Sequence, residues 1–208
     1  MATTTPNYGW DVPTSTDYVK DGATAIETLG DDIDATLWTA LGGAYPGLRL
    51  IKKQTIGSGV ASVNVTGAFS STYQNYRIIV NGGTVTGAGP LHLQLGATTS
   101  GYRFSFIYNQ TSAATPLGLA GENAAYFSDF GRGATTNGFA ANCDLYNPNL
   151  ATATGIRYAT FDPASSGGYN INGQGVMPNS TQYTDFTVIS GAGNMTGGTI
   201  YVYGYGAS

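Results

Sequence analysis

The sequence predicts a mainly β protein: an antiparallel, jelly-roll-like β-sandwich preceded by an extended N-terminal arm and one short oligomerising α-helix. Three observations predict it. About ten short runs between residues 48 and 205 alternate apolar and polar side chains, with Gly- and Asn-rich turns between them and no helical period. A single helical pattern stands at 23–41. Between the two lies Gly42-Gly43-Ala-Tyr-Pro46-Gly47, a run of breakers that ends the helix and divides the chain into 1–46 and 47–208.

In the arm, Pro6 and Pro13 resist helix, and Tyr8 and Trp10 need a surface to pack on. An extended arm offers none, so these two aromatics are read as docking on a partner. In the helical stretch, Thr24-Ala-Ile-Glu27 fits a capping box. Ile26, Leu29, Ile33, Leu37 and Leu41 then form a one-sided stripe, the first four of them read as the oligomer seam. An isolated helix of this length is marginal in water, and Gly30 costs it roughly a further 1 kcal/mol. The stripe must therefore be buried, either on its own chain or on copies of itself. Isoleucines one heptad apart, as Ile26 and Ile33 are, permit a trimer.

The strand signals fall at 48–56, 60–65, 73–81, 91–97, 102–108, 139–146, 156–162, 169–176, 183–190 and 199–205. Leu91, Leu93 and Leu95 point one way, and His92 and Gln94 the other. His92 is accordingly expected at the surface or in an interface, and Cys143 is expected buried. Tyr201, Tyr203 and Tyr205 share the face opposite Ile200 and Val202. Residues 109–138 read as a long irregular connection, and 163–175 as a second Gly/Ser/Asn-rich loop.

Composition narrows the function. Only 10% of residues are charged, against about 25% in an ordinary soluble domain. Residues 1–42 hold seven acids and one base, a balance of −6, whereas the rest of the chain stands at +2. Eight Lys and Arg in 208 residues make a poor phosphate-backbone binder, so no nucleic acid is expected. One Cys and one His leave no disulfide, no metal centre and no Ser-His-Asp relay, and no cofactor motif is present. No apolar stretch is long enough to span a membrane, and Met1-Ala-Thr-Thr-Thr-Pro6 lacks a signal-peptide pattern, so synthesis in a cytoplasm is expected. Glycan hydrolysis needs two carboxylates, and Glu122 with Asp129 is the best pair on offer. Most carboxylates fit turn and edge roles, so a non-enzymatic protein is expected. Tyr and Asn together suit sugar rings and their hydroxyls. The candidate receptor contacts are therefore the loop aromatics and their polar neighbours: Tyr126, Phe127, Phe130, Arg132, Tyr169, Asn170 and Asn172.

Two parts of the chain resemble a known family. Thr5-Pro-Asn-Tyr-Gly-Trp10, Pro13, Asp17-Tyr-Val19, Asp21-Gly-Ala23 and Ile26 to Leu29 are similar to the opening of tail-fibre and minor tail proteins of tailed bacteriophages. Phe69-Ser-Ser-Thr-Tyr73-Gln-Asn-Tyr76, Asp144-Leu-Tyr-Asn-Pro148, Thr181 to Ser190 and Gly197 to Tyr205 resemble the β-sandwich that ends many such proteins. The resemblance implies a homotrimeric virion protein of the tail or baseplate. Residues 1–22 would fasten it to other virion proteins, and its sandwich would face a host-surface polysaccharide. Such fibres carry a longer shaft, replaced here by six residues. The alternative reading is a purely structural baseplate, collar or capsid-decoration protein without receptor binding.

Overall fold

A computed structural model describes residues 3–14, 18–40, 47–113, 115–163 and 168–206. The chain divides into two compact units, one running to Gly47 and taking in Gly206, the other Leu48–Tyr205. The breaker residues 42–46, and Leu41 before them, lie outside the described residues.

In the first unit the expected extended arm is instead a small ribbon folded onto its own helix. β1 (Thr3–Thr4) pairs antiparallel with β2 (Asp11–Val12). The turn between them is closed by Gly9 N–H to Thr5 O, Thr5 N–H to Trp10 O and Trp10 N–H to the Thr5 hydroxyl. Gly9 has φ +69°, a conformation that Gly adopts without penalty. Trp10 donates its indole N–H to Thr36 Oγ1 at 2.9 Å, and the Tyr8 ring stacks on Trp10 at 5.0 Å. The arm thus packs on a surface its own chain supplies. Tyr8 remains 66% exposed.

A 3-10 turn, Val19–Asp21, leads into α1 (Gly22–Ala40). The capping box does not form, because the helix begins three residues earlier than that pattern requires and Thr24 lies inside it. The Thr24 carbonyl accepts the Thr28 hydroxyl instead. Of the predicted stripe, Ile26 and Leu37 are 66% and 53% exposed, and Leu29 and Ile33 are half-buried. Trp38, which the stripe omitted, is 65% exposed.

The second unit is a two-layered antiparallel β-sandwich. Its strands are β3 (Leu48–Thr55), β4 (Ser62–Val65), β5 (Asn75–Gly82), β6 (Thr84–Val85), β7 (Gly89–Leu95), β8 (Tyr102–Gln110), β9 (Leu117–Ala124), β10 (Phe127–Gly133), β11 (Phe139–Tyr146), β12 (Thr154–Phe161), β13 (Tyr169–Met177), β14 (Phe186–Ser190), β15 (Met195–Thr196) and β16 (Thr199–Tyr205). β6 and β15 form a separate short ribbon. The shorter layer is ordered β4-β14-β7-β10 and the longer β9-β8-β13-β12-β11-β5-β16-β3. They meet at β11. One edge of β11 pairs with β5 along its whole length; the other pairs first with β10, at Phe139–Ala141, and then with β12, at Cys143–Tyr146. The ladder splits there into two sheets, and β10 packs over β12, β13 and β8.

The topology is that of a jelly roll. With β3, β16, the β12–β13 hairpin and the short ribbon set aside, eight strands remain. Ranked by chain order, they run 1-8-3-6 across the shorter layer and 2-7-4-5 across the longer. Period-2 patterning sets the core. Leu91, Leu93 and Leu95 on β7, Tyr76, Ile78 and Val80 on β5, and Ile200 and Val202 on β16 are fully buried. Cys143 is buried among them.

Two expected loops contain strands. Residues 109–138 hold β9 and β10, and β13 begins at Tyr169, inside the second. β9 is an edge strand whose leucines stay half exposed, so its polarity does not alternate. In β10, Asp129 takes φ +55° and shifts the register to β7 between Phe127 and Gly131, which breaks the period. Gly131 allows the approach of β11, since a Cβ there would sit 2.1 Å from that of Ala141.

Candidate functional site

The structure divides the seven expected contact residues among three places. Phe127 and Phe130 are fully buried, which corrects their assignment as receptor contacts. They sit on the inner face of β10, and Phe127 meets Tyr102 edge-on at 4.9 Å. Each buried phenyl ring contributes roughly 1.5–3 kcal/mol to the core.

Tyr126, Arg132 and Tyr169 belong to a half-buried polar cluster organised around His92. His92 is 7% exposed, which corrects the expectation of a surface side chain. The Tyr126 ring covers it at 4.1 Å and 15°. Ser128 Oγ lies 3.3 Å from His92 Nδ1 and donates to Asp129 Oδ2 at 2.7 Å. Asp129 pairs with Arg132 at 3.5 Å, both side chains more than four-fifths buried. The Arg132 guanidinium lies 4.9 Å from the Tyr169 ring centroid, and Tyr169 meets Tyr108 edge-on. Burial lowers the His92 pKa to about 4; Asp129 opposes this shift and Arg132 adds to it. At neutral pH the imidazole is therefore uncharged. The Ser128 proton goes to a carboxylate, not to the imidazole, and Ser128 is itself buried. The arrangement orients and locks β10; it does not present a nucleophile to solvent.

Asn170 and Asn172 are exposed on the other side of β13, on the outer face of the longer layer. Residues paired across an antiparallel ladder share a face. One such row therefore runs Ala120, Ser105, Gln174, Arg157, Asp144, Arg77 and Tyr203 from β9 to β16. Within it a groove of about 780 Å³ opens over β9, β8, β13 and β12. Its floor is low because Ser105, Ala120 and Gly155 raise little or no side chain. Its walls are Arg103, Glu122, Arg157, Gln174 and Tyr146. A second hollow of about 560 Å³ shares Ser105, Ala120, Arg157 and Gln174 and extends the groove to Asn172 and Ile107. Arg103 pairs loosely with Glu122 at 3.6 Å. Towards β16, Asp144 pairs with Arg77 at 3.5 Å and accepts the Tyr205 hydroxyl, whose pKa is pushed up to about 12 by burial and by that carboxylate. Tyr201 and Tyr203 are half exposed on this face, stacked at 6.4 Å, with Lys53 over Tyr201.

Glu122 and Asp129, the one carboxylate pair worth weighing for hydrolysis, are kept apart. Glu122 lines the outer groove and Asp129 lies in the cluster around His92. Among the described residues no group of three His, Cys, Asp or Glu side chains could hold a metal ion, and no helix is long and apolar enough to cross a membrane.

The chain matches no family model, no curated protein and no solved structure.

Sequence reasoning missed Arg103, Ser105, Arg157, Gln174 and Tyr146. Their signal was available: the alternation that buries Tyr102 and Phe106, and Ile156 and Tyr158, turns Arg103, Ser105 and Arg157 outward. Only the order of the strands tells that these separate runs lie side by side.

Proposed function

We propose that the chain is a homotrimeric tail-fibre or receptor-binding protein of a phage virion. Residues 1–22 fasten it to the tail or baseplate, α1 registers three chains, and the sandwich binds a host-surface glycan. The observation that carries this reading is the uncovered side of α1. Ile26, Leu37 and Trp38 are each more than half exposed, although a helix in a protein draws most of its stability from packing its apolar face. The β1–β2 ribbon does not cover them. It packs along the side marked by Thr24, Ala25, Thr28 and Thr36. The sandwich, by contrast, closes its own core. A chain with one self-sufficient domain and one incomplete segment suits an assembly through the incomplete segment. Three copies would also give three glycan sites the gain of simultaneous engagement.

Light scattering on the full chain tests the assembly. Three times the 21.5 kDa chain mass is expected, falling to one chain for Ile33→Asp with the sandwich still folded. A wild-type protein that stays monomeric at micromolar concentration would overturn the reading. Host adsorption competed by the purified protein separates the adhesin from a purely structural component.

A further inference from the structure

We propose that the outer-face groove between Arg103 and Arg157 is the receptor site and that it takes an acidic polysaccharide. The guanidiniums hold the carboxylates of the chain while its sugar rings lie across the small-residue floor. This inference rests on the glycan-binding reading above and supplies the site and ligand class that reading lacks.

Shape comes first. The floor is Ser105, Ala120 and Gly155, and it runs on over Gly118, so a flat polymer can approach the strands along several residues. A single buried pocket would select one sugar; an open trough spanning four strands suits a chain of them. The rim supplies the groups that sugars use. Gln174 and Asn172 offer amide donors and acceptors, Ser105 a hydroxyl, and Tyr146, 38% exposed, a ring edge.

Charge then selects the class. The chain as a whole is at −4, yet the face between β16 and β9 carries Arg77, Arg103 and Arg157 against Asp144 and Glu122. Asp144 is committed to Arg77 and to the Tyr205 hydroxyl. Among the described residues Arg157 has no ion-pair partner, although its side chain is exposed in the middle of the groove. Arg103 is held only by an exposed Glu122. Arg103 stands two strands from Gly155, and Arg157 lies two residues beyond Gly155. At ~4.8 Å between strands and ~3.4 Å per residue, the two backbones are about 12 Å apart. Two separated guanidiniums suit carboxylates repeated along a polymer. A nucleic-acid backbone, with a charge at every nucleotide, needs a denser cationic track.

The test is binding of the full chain to an array of bacterial capsular and O-antigen polysaccharides. It includes neutral ones, carboxylate-bearing ones, and each acidic one after chemical reduction of its carboxyl groups to alcohols. Retention is expected on acidic members and is expected to fall about tenfold or more on their reduced forms and for Arg157→Gln, the usual effect of losing a charge-assisted contact. Ser105→Trp, which fills the floor from an exposed position, is expected to abolish it, with melting temperature confirming that both variants fold. Binding to reduced and native forms alike, erased by Ser105→Trp, overturns the acidic ligand and leaves a glycan groove. Binding untouched by Ser105→Trp and Arg157→Gln overturns the groove and leaves glycan binding elsewhere. Binding to no polysaccharide overturns both.

Discussion

The ring of Tyr158 lies on the backbone of Gly173, its partner across the β12–β13 ladder, so closely that a Cβ on Gly173 would come within 2.2 Å of Cζ. Tyr158 is buried, and its hydroxyl donates to the Ser128 carbonyl on β10 at 2.7 Å, which ties the two layers together. The ring cannot swing aside without breaking that bond. Gly173→Ala is therefore expected to cost about 2–3 kcal/mol as an overpacked core does. Gly155→Ala, whose Cβ would meet nothing closer than 3.5 Å, is expected to be nearly neutral. Denaturant titration of the two variants checks the contrast.

His92 makes stability depend on acid. Its folded pKa lies near 4, below the unfolded value of about 6.5, so the native state binds fewer protons between those values. The contribution is fully present above about pH 6.5 and is lost as pH falls towards 4, a change of roughly 3 kcal/mol. Melting temperature followed from pH 7 to 4 is expected to fall more steeply in the wild type than in His92→Gln. Equal slopes would remove His92 from the account.

The division of the seven aromatic and polar candidates can be measured. Phe127→Ala is expected to destabilise by about 3–5 kcal/mol, because it empties a fully buried ring site. Asn172→Ala, at an exposed position, is expected to stay within about 0.5 kcal/mol of wild type. Thermal melts decide this, and a destabilised Asn172→Ala would show that the side chain serves the fold.

The ribbon on α1 is held by the bond from Trp10 to Thr36. Trp10→Phe and Thr36→Val are each expected to lower its stability. In a double-mutant cycle they should couple by roughly 0.5–1.5 kcal/mol, the net value of one such bond. Hydrogen exchange of α1 amides reports it; strict additivity would mean that the bond contributes nothing.

Cys143 is fully buried, and its surroundings push the thiol pKa well up. The native protein is expected to resist a thiol reagent such as dithionitrobenzoate and to react promptly in denaturant. Fast labelling of the native state would place Cys143 at the surface.

Much of the fold was legible. Leu91, Leu93 and Leu95 announced one buried face by spacing alone, and so did Tyr76, Ile78 and Val80, because side-chain period 2 survives wherever one face of a strand is packed. β10 was not legible, since Phe-Ser-Asp-Phe-Gly-Arg-Gly carries a left-handed Asp129 that breaks the period. Phe127 and Phe130 looked like loop aromatics for that reason alone. The groove was hidden differently. Arg103 and Arg157 are 54 positions apart in sequence, and each reads as an ordinary outward side chain until β8 and β12 are placed on the two edges of β13.

From the sequence alone followed the strands with clean alternation, the helix now seen at Gly22–Ala40 and the scarcity of charge, because each depends on composition or on neighbours within a few residues. The tertiary structure decided the pairing order, the fork at β11, the burial of His92 beneath Tyr126 and the convergence of Arg103, Gln174 and Arg157 on one face. Those depend on which strands hydrogen-bond to which, and residues that lie far apart along the chain make that choice together through the core they share.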